Sequence, residues 1–170
     1  MPLTIPPGVG AEARINAIFA PTNSLSVATL NGATAVELTC YLTKGTLGIS
    51  AETETGTDER ECTAQVFEVL GKTTWTVNDL EYVWEPQAAP SSPTNKAYDT
   101  LKKGTRGFLI LRFGKDVDTA PAVGDKVWQI PVTLGEQAPK PREGNAAEKL
   151  KIVQKVVVSG NVVKDAVLIA

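Results

Sequence analysis

No histidine occurs anywhere in the 170-residue sequence. The commonest general base, the commonest zinc ligand and every histidine-based triad are thereby excluded. Cysteine is nearly absent too. Cys40 and Cys62 are too few for a four-thiolate zinc site or a disulfide scaffold. No apolar run approaches the roughly 20 residues a helix needs to cross a bilayer. The opening Met1–Gly8 has neither a basic start nor a continuous apolar stretch, so no signal peptide is expected. The chain is expected to be soluble and made in a cytoplasm, where both thiols stay reduced. Neither sign of charge dominates: 17 basic and 19 acidic residues give a net charge of −2. The overall positive field of a nucleic-acid binder is missing. These absences point away from an enzyme, and no cofactor, metal or catalytic residue is expected.

What is present reads as a β-rich globular chain, with 42% hydrophobic and 21% charged residues. Residues 1–13 hold three prolines and two glycines, which predicts an N-terminal arm followed by a single domain over 14–170. Strands are expected at 24–30, ending in the turn signal Asn31-Gly32, and at 35–42, where Val36, Leu38 and Cys40 alternate with polar residues. A hairpin is expected from 65–70 and 73–77 around Gly71-Lys72. A further strand covers 80–85, with Leu80, Tyr82 and Trp84 on one side. The one helix is placed at 96–103, with Thr94 or Asn95 as its cap and Gly104 as its stop. Strands at 107–113 and 125–134 follow, then a Pro/Gly-rich stretch at 135–147. A terminal hairpin of 150–158 and 162–169 is expected to turn at Gly160-Asn161. Both faces of that hairpin are largely apolar. The architecture predicted is mainly β, a β-sandwich or barrel with one short flanking helix.

Two features carry functional weight. Glu52, Glu54, Asp58, Glu59 and Glu61 fall within ten positions of a long acidic loop expected at about 45–62. No supporting aromatic or basic shell accompanies them, and the spacing is not that of a calcium-binding loop. They read as a solvated tip or a protein-contact loop. The second feature is charge asymmetry. Residues 1–95 carry 11 acidic and 4 basic side chains, whereas 96–170 carry 8 acidic and 13 basic. Unlike faces on identical subunits favour head-to-tail contacts, which close into rings or extend into filaments.

Four segments resemble a known family. They are Leu80–Gln87, the Tyr98-x-x-Leu101-Lys102-x-Gly104-x-x-Gly107 pattern, Pro131–Gln137 and Gln154–Asp165. In this order they are similar to the major tail (tail tube) proteins of long-tailed phages, especially those of actinobacteria. The resemblance covers roughly residues 65–170. It implies a β-sandwich that assembles with itself into hexameric rings stacked head to tail. The implied product is a hollow tube in the virion tail, put together in the host cytoplasm. It further implies tail tip, tape measure and tail terminator proteins as partners, with DNA only as transiting cargo. By position the acidic stretch would contact the next ring. Ile152, Val156, Val158, Val163 and Val167 of the terminal strands would join the inter-subunit sheet. The alternative is a β-sandwich adhesion or carbohydrate-binding module, displaying Tyr82, Trp84 and Trp128 as a platform.

Overall fold

A computed structural model describes residues 14–170 apart from 24, 90, 145 and 146, so the expected arm at 1–13 lies outside the described residues. In chain order the elements are β1 (Ile15–Ala20), α1 (Val27–Leu30), β2 (Val36–Glu37), β3 (Ile49–Asp58), β4 (Phe67–Val77) and β5 (Leu80–Val83). A 3₁₀ turn (Pro93–Asn95) and α2 (Lys96–Thr100) follow, then β6 (Arg106–Phe113), β7 (Lys126–Pro139), β8 (Lys151–Val158) and β9 (Val163–Val167). One sheet runs β2-β1-β6-β7-β8-β5 and curls into a half-barrel, with β9 also on β7; β3 and β4 form a separate two-stranded ribbon. The mainly β class expected from the alternation is the one observed.

Strand alternation gives the sheet two apolar faces. One face packs Phe19, Leu109, Leu111, Ile130, Val132 and Ile152 against Leu38, Leu80, Tyr82 and Leu101. On the other face, Ile18, Ala20, Ile110 and Val127 meet Leu30, Ala35 and Leu168. A buried polar network pins α2 to the first of these faces. Gln154 Nε2 donates to the carbonyls of Leu101 (2.7 Å) and Gly135 (3.0 Å), and its Oε1 accepts from the Tyr82 hydroxyl at 3.1 Å. Gln137 donates to that hydroxyl at 2.8 Å and to the Tyr98 carbonyl at 2.9 Å. Burial pushes the Tyr82 phenol up to about 12. The network sits where the β7–β8 register shifts between Leu134 and Gln137, and it satisfies carbonyls around that bulge.

The structure departs from the sequence reading at several elements. Residues 27–30 form a helical turn instead of a strand, because the Ser26 hydroxyl accepts the Thr29 amide and Leu30 plugs the second core. The strand expected at 35–42 shrinks to two residues. There the Thr39 hydroxyl takes the Ala17 amide in place of a ladder carbonyl, and the chain then turns. The helix ends at Thr100, three residues early, because Leu101 dips into the core. Asn95 does not cap it; its amide bonds both backbone groups of Glu85 instead.

Gly71-Lys72 is a bulge rather than a turn. Thr53 pairs Thr73 and Thr55 pairs Leu70, so Glu54 alone faces Gly71 and Lys72. The Pro/Gly-rich stretch expected from 135 remains strand as far as Pro139.

The terminal hairpin does not form. β8 and β9 both run antiparallel to β7 along the same edge, Val158 beside Val132 and Val163 beside Gln129, so they are one strand with a jog at 159–162. A type II′ turn needs positive φ at Gly160, and Gly160 does not adopt it. The glycine serves a close approach instead: a Cβ there would lie 3.0 Å from Pro131 Cγ.

Glu81 on β5 ties three segments together. Its carboxylate accepts from Lys151 Nζ at 2.8 Å and Lys140 Nζ at 3.0 Å. The Lys151 hydrogen bond, helped by Lys140 and opposed by desolvation, holds its pKa down to about 2 from the ordinary 4.5. A carboxyl lowered in the folded state stabilises fully above its unfolded pKa and stops doing so as pH falls through the folded one. Wild type should therefore exceed Glu81→Gln by about 2–3 kcal/mol at neutral pH. The gap should close between pH 4.5 and about 2 in urea titrations run at stepped pH. A gap unchanged at pH 2 would refute the assignment.

Candidate assembly surface

The β3–β4 ribbon leaves the body at Ile49 and Val77, which pair with each other; Val77 is buried in the core and Ile49 packs against it. Its root is steadied by Trp75, whose ring meets Trp128 edge-on at 6.0 Å and lies 5.6 Å from Lys164 Nζ. Beyond the root it stands off. Ten residues of strand at roughly 3.3 Å each carry it about 30 Å outward. An isolated two-stranded ribbon is marginally stable in water. This one nonetheless exposes Val66, Phe67, Val69 and Leu70, the last at 80% of its full area.

The five acidic residues singled out above all lie on this ribbon or its tip. Glu52, Glu54 and Asp58 are on β3, and Glu59 and Glu61 are in the turn. The expected loop at 45–62 is thus largely strand. Asp58 pairs with Arg60 at 2.7 Å, whereas Glu52, Glu54, Glu59, Glu61 and Glu68 make no ion pair among the described residues. Glu52, Glu54, Asp58, Glu59 and Glu61 are strung out instead of converging, and no cluster able to hold a metal forms among the described residues.

Cross-strand pairing sorts the outer ribbon into stripes. Asp58 lies opposite Phe67 and Gly56 opposite Val69, while Glu54 faces the bulge. Directly opposed residues share a face. One face therefore presents acids along β3 and apolar side chains along β4. The sequence reading missed these apolar positions because Val66–Leu70 looks like any core strand.

The terminal strands divide the five apolar residues expected at a subunit contact. Ile152 and Val156 are buried in this chain's own core and are committed there. Val158 packs partly on that core. Val163 and Val167 are exposed on β9, which has β7 on one side and no strand on the other among the described residues, although just beyond it Ile169 exchanges backbone hydrogen bonds with Leu25 and Val27. Cys40 and Cys62 are free and exposed.

The aromatics expected of an adhesive platform do not form one. Tyr82 is fully buried with both roles of its hydroxyl taken. Trp84 stacks on Tyr98 with ring centroids 5.6 Å apart, and Trp128 sits between Trp75 and Phe113.

A family model described as phage tail tube protein matches residues 13–170. The chain belongs to that family. It is a structural component of a phage tail, not an enzyme. Membership in a tail tube family carries self-association and other tail proteins as partners, and it places the chain in the virion tail. No curated protein matches the chain. Among solved structures, a chain of the anti-feeding prophage baseplate, determined by cryo-electron microscopy with six-fold symmetrisation, shares the fold. Its TM-score is 0.55 at 11% identity, covering 95% of this chain and 98% of that one. No helix among the described residues is long and apolar enough to cross a membrane.

Proposed function

We propose that this chain forms hexameric rings that stack head to tail into the hollow tail tube of a long-tailed phage, the conduit for its genome. One observation carries the reading: a tail tube family member holds a projecting ribbon that exposes Val66, Phe67, Val69 and Leu70 and carries Glu52, Glu54, Glu59 and Glu61 with no ion pair among the described residues. The ribbon, with Glu52, Glu54, Asp58, Glu59 and Glu61, reaches the adjacent ring. Residues 1–13 act as a second arm beside the single domain 14–170. The open edge of β9, with Val163 and Val167, joins neighbours around the ring, since exposed strand edges invite pairing. The tail tip, tape measure and tail terminator proteins start, measure and end the polymer, which assembles in the host cytoplasm. DNA passes through without being held, as a chain with net charge −2 offers little to retain phosphates.

Negative-stain electron microscopy of the purified protein tests this. The expected images show six-fold rings or tubes about 10 nm across, the size given by packing six domains of this length. Failure to polymerise even when tail-tip components are added would sink the reading.

A further inference from the structure

The self-assembly reading does not say which surface receives the ribbon. The sheet face that bears the second core is covered only in part. α1 and Leu168 lie over Ile18, Ile110 and Val127. The far end of this face, around Arg106 on β6, Thr133 on β7 and Lys155 and Val157 on β8, is left open, with Phe108 at its border packed partly on the second core. Register places its side chains in rows. Arg106 lies beside Thr133, and Thr133 beside Val157; in the next row Phe108 lies beside Pro131. In a third row Lys155 borders Gly135, where a Cβ would lie 3.2 Å from the lysine's own Cβ. Pro131, Phe108, Thr133 and Ser159 line a groove beside Arg106. Val157 is 52% exposed. Arg106 and Lys155 are exposed, and neither makes an ion pair among the described residues.

This strip is the ribbon's complement in both respects. On the face that holds Phe67 and Val69 the ribbon carries Glu54, which makes no ion pair among the described residues, and Asp58, paired only with Arg60 of its own tip; the strip carries Arg106 and Lys155 beside Val157 and Pro131. Complementary charge fixes register and rejects wrong partners, while the apolar rows supply the area to bury. We infer that the ribbon of one copy docks on the open β6–β7–β8 strip of a second copy, setting Glu54 and Asp58 against Arg106 and Lys155, with Phe67 and Val69 packed over Val157. The inference rests on the self-assembly reading and specifies its contact.

Cross-linking between separate chains tests it. Cys40 and Cys62 are exposed, so C40S/C62S removes both thiols without touching the core. On that background V69C and V157C are made as separate proteins, mixed, and treated with a short bismaleimide. A covalent dimer should appear in the mixture and be at least tenfold weaker in either protein alone. Polymer formed without that dimer overturns the docking and leaves self-assembly standing. Absence of both polymer and dimer overturns the two together. Charge reversal gives an independent readout. R106E/K155E should reduce polymer yield at least tenfold, and mixing it with E54K/D58K chains should restore copolymer. R106E/K155E chains that polymerise like wild type would overturn the docking. So would a gel-shift signal with duplex DNA that R106E/K155E abolishes while polymer yield holds, because the strip would then be a nucleic-acid face.

Discussion

Joining Thr53 directly to Thr73 through an Asn-Gly turn should abolish polymerisation and leave the folded subunit almost as stable as before. The two threonines are cross-strand partners with hydroxyls 2.9 Å apart, so a two-residue turn closes the ribbon there without disturbing its root. The deletion removes residues 54–72, which include the exposed Phe67, Val69 and Leu70 and most of the acidic cluster. It spares Ile49, Trp75 and Val77, which anchor the ribbon to the body. Surface changes of this kind alter stability by about 0.5 kcal/mol or less, so the urea midpoint should barely move. Polymer yield in sedimentation should fall below a hundredth of wild type. A shortened protein that still built tubes would show the ribbon to be dispensable, and the reading of its function would fail.

The second large effect concerns stability. Asp125→Ala should cost about 3–5 kcal/mol, the usual penalty for leaving one member of a buried ion pair alone. Arg112 is 3% exposed, and its Nη1 donates to the Asp125 carboxylate at 3.1 Å. Its other terminal nitrogen bonds the Thr119 carbonyl, while its Nε has no partner among the described residues. Asp125 in turn accepts from the Ala122 amide and faces Lys115 Nζ at 3.5 Å. Burial pushes its pKa up, but the Ala122 amide, Arg112 and Lys115 together hold the carboxyl below its ordinary value. The pair fastens the 114–125 turn to β6, so its loss should also loosen the start of β7. Folded domains are stable by only about 5–15 kcal/mol, so the loss should be plain in urea denaturation. A loss below about 1 kcal/mol would mean that the arginine finds water once its partner is gone.

Much of the central sheet was legible because alternation there is strong and one face is always covered. β5 and β6 fell where Leu80-Glu81-Tyr82 and the Phe108–Phe113 run placed them. The terminal strand was misread for a local reason. Whether a chain doubles back at Gly160-Asn161 depends on one backbone angle, and the glycine was needed for its closeness to Pro131 instead. The β3–β4 ribbon was half legible. Its acids stood out and 65–70 read as strand, but the exposure of Phe67 and Val69 was not legible, since periodicity records which side chains share a face and not whether anything covers it. The receiving strip was invisible for the same reason. Arg106 and Lys155 are ordinary surface charges in sequence, and only pairing across β6, β7 and β8 brings them to one patch.

The order of pairing in the sheet also governs how quickly a subunit becomes available. Ile15 pairs with Phe113, Leu80 pairs with Gln154, and Val27 donates to the carbonyl of Ile169, so the ladders that seat β1, β5 and the C-terminus close long stretches of chain, whereas β6, β7 and β8 pair in sequence order. Topologies dominated by such distant contacts fold in milliseconds to seconds, far slower than helical bundles of equal stability. A newly made chain therefore holds β1 unpaired on its β6 side until β6 is made, and β5 without its sheet neighbour until β8 is made. Since Ile169 bonds Val27 and Leu25, a subunit becomes competent only once nearly the whole sequence has been made.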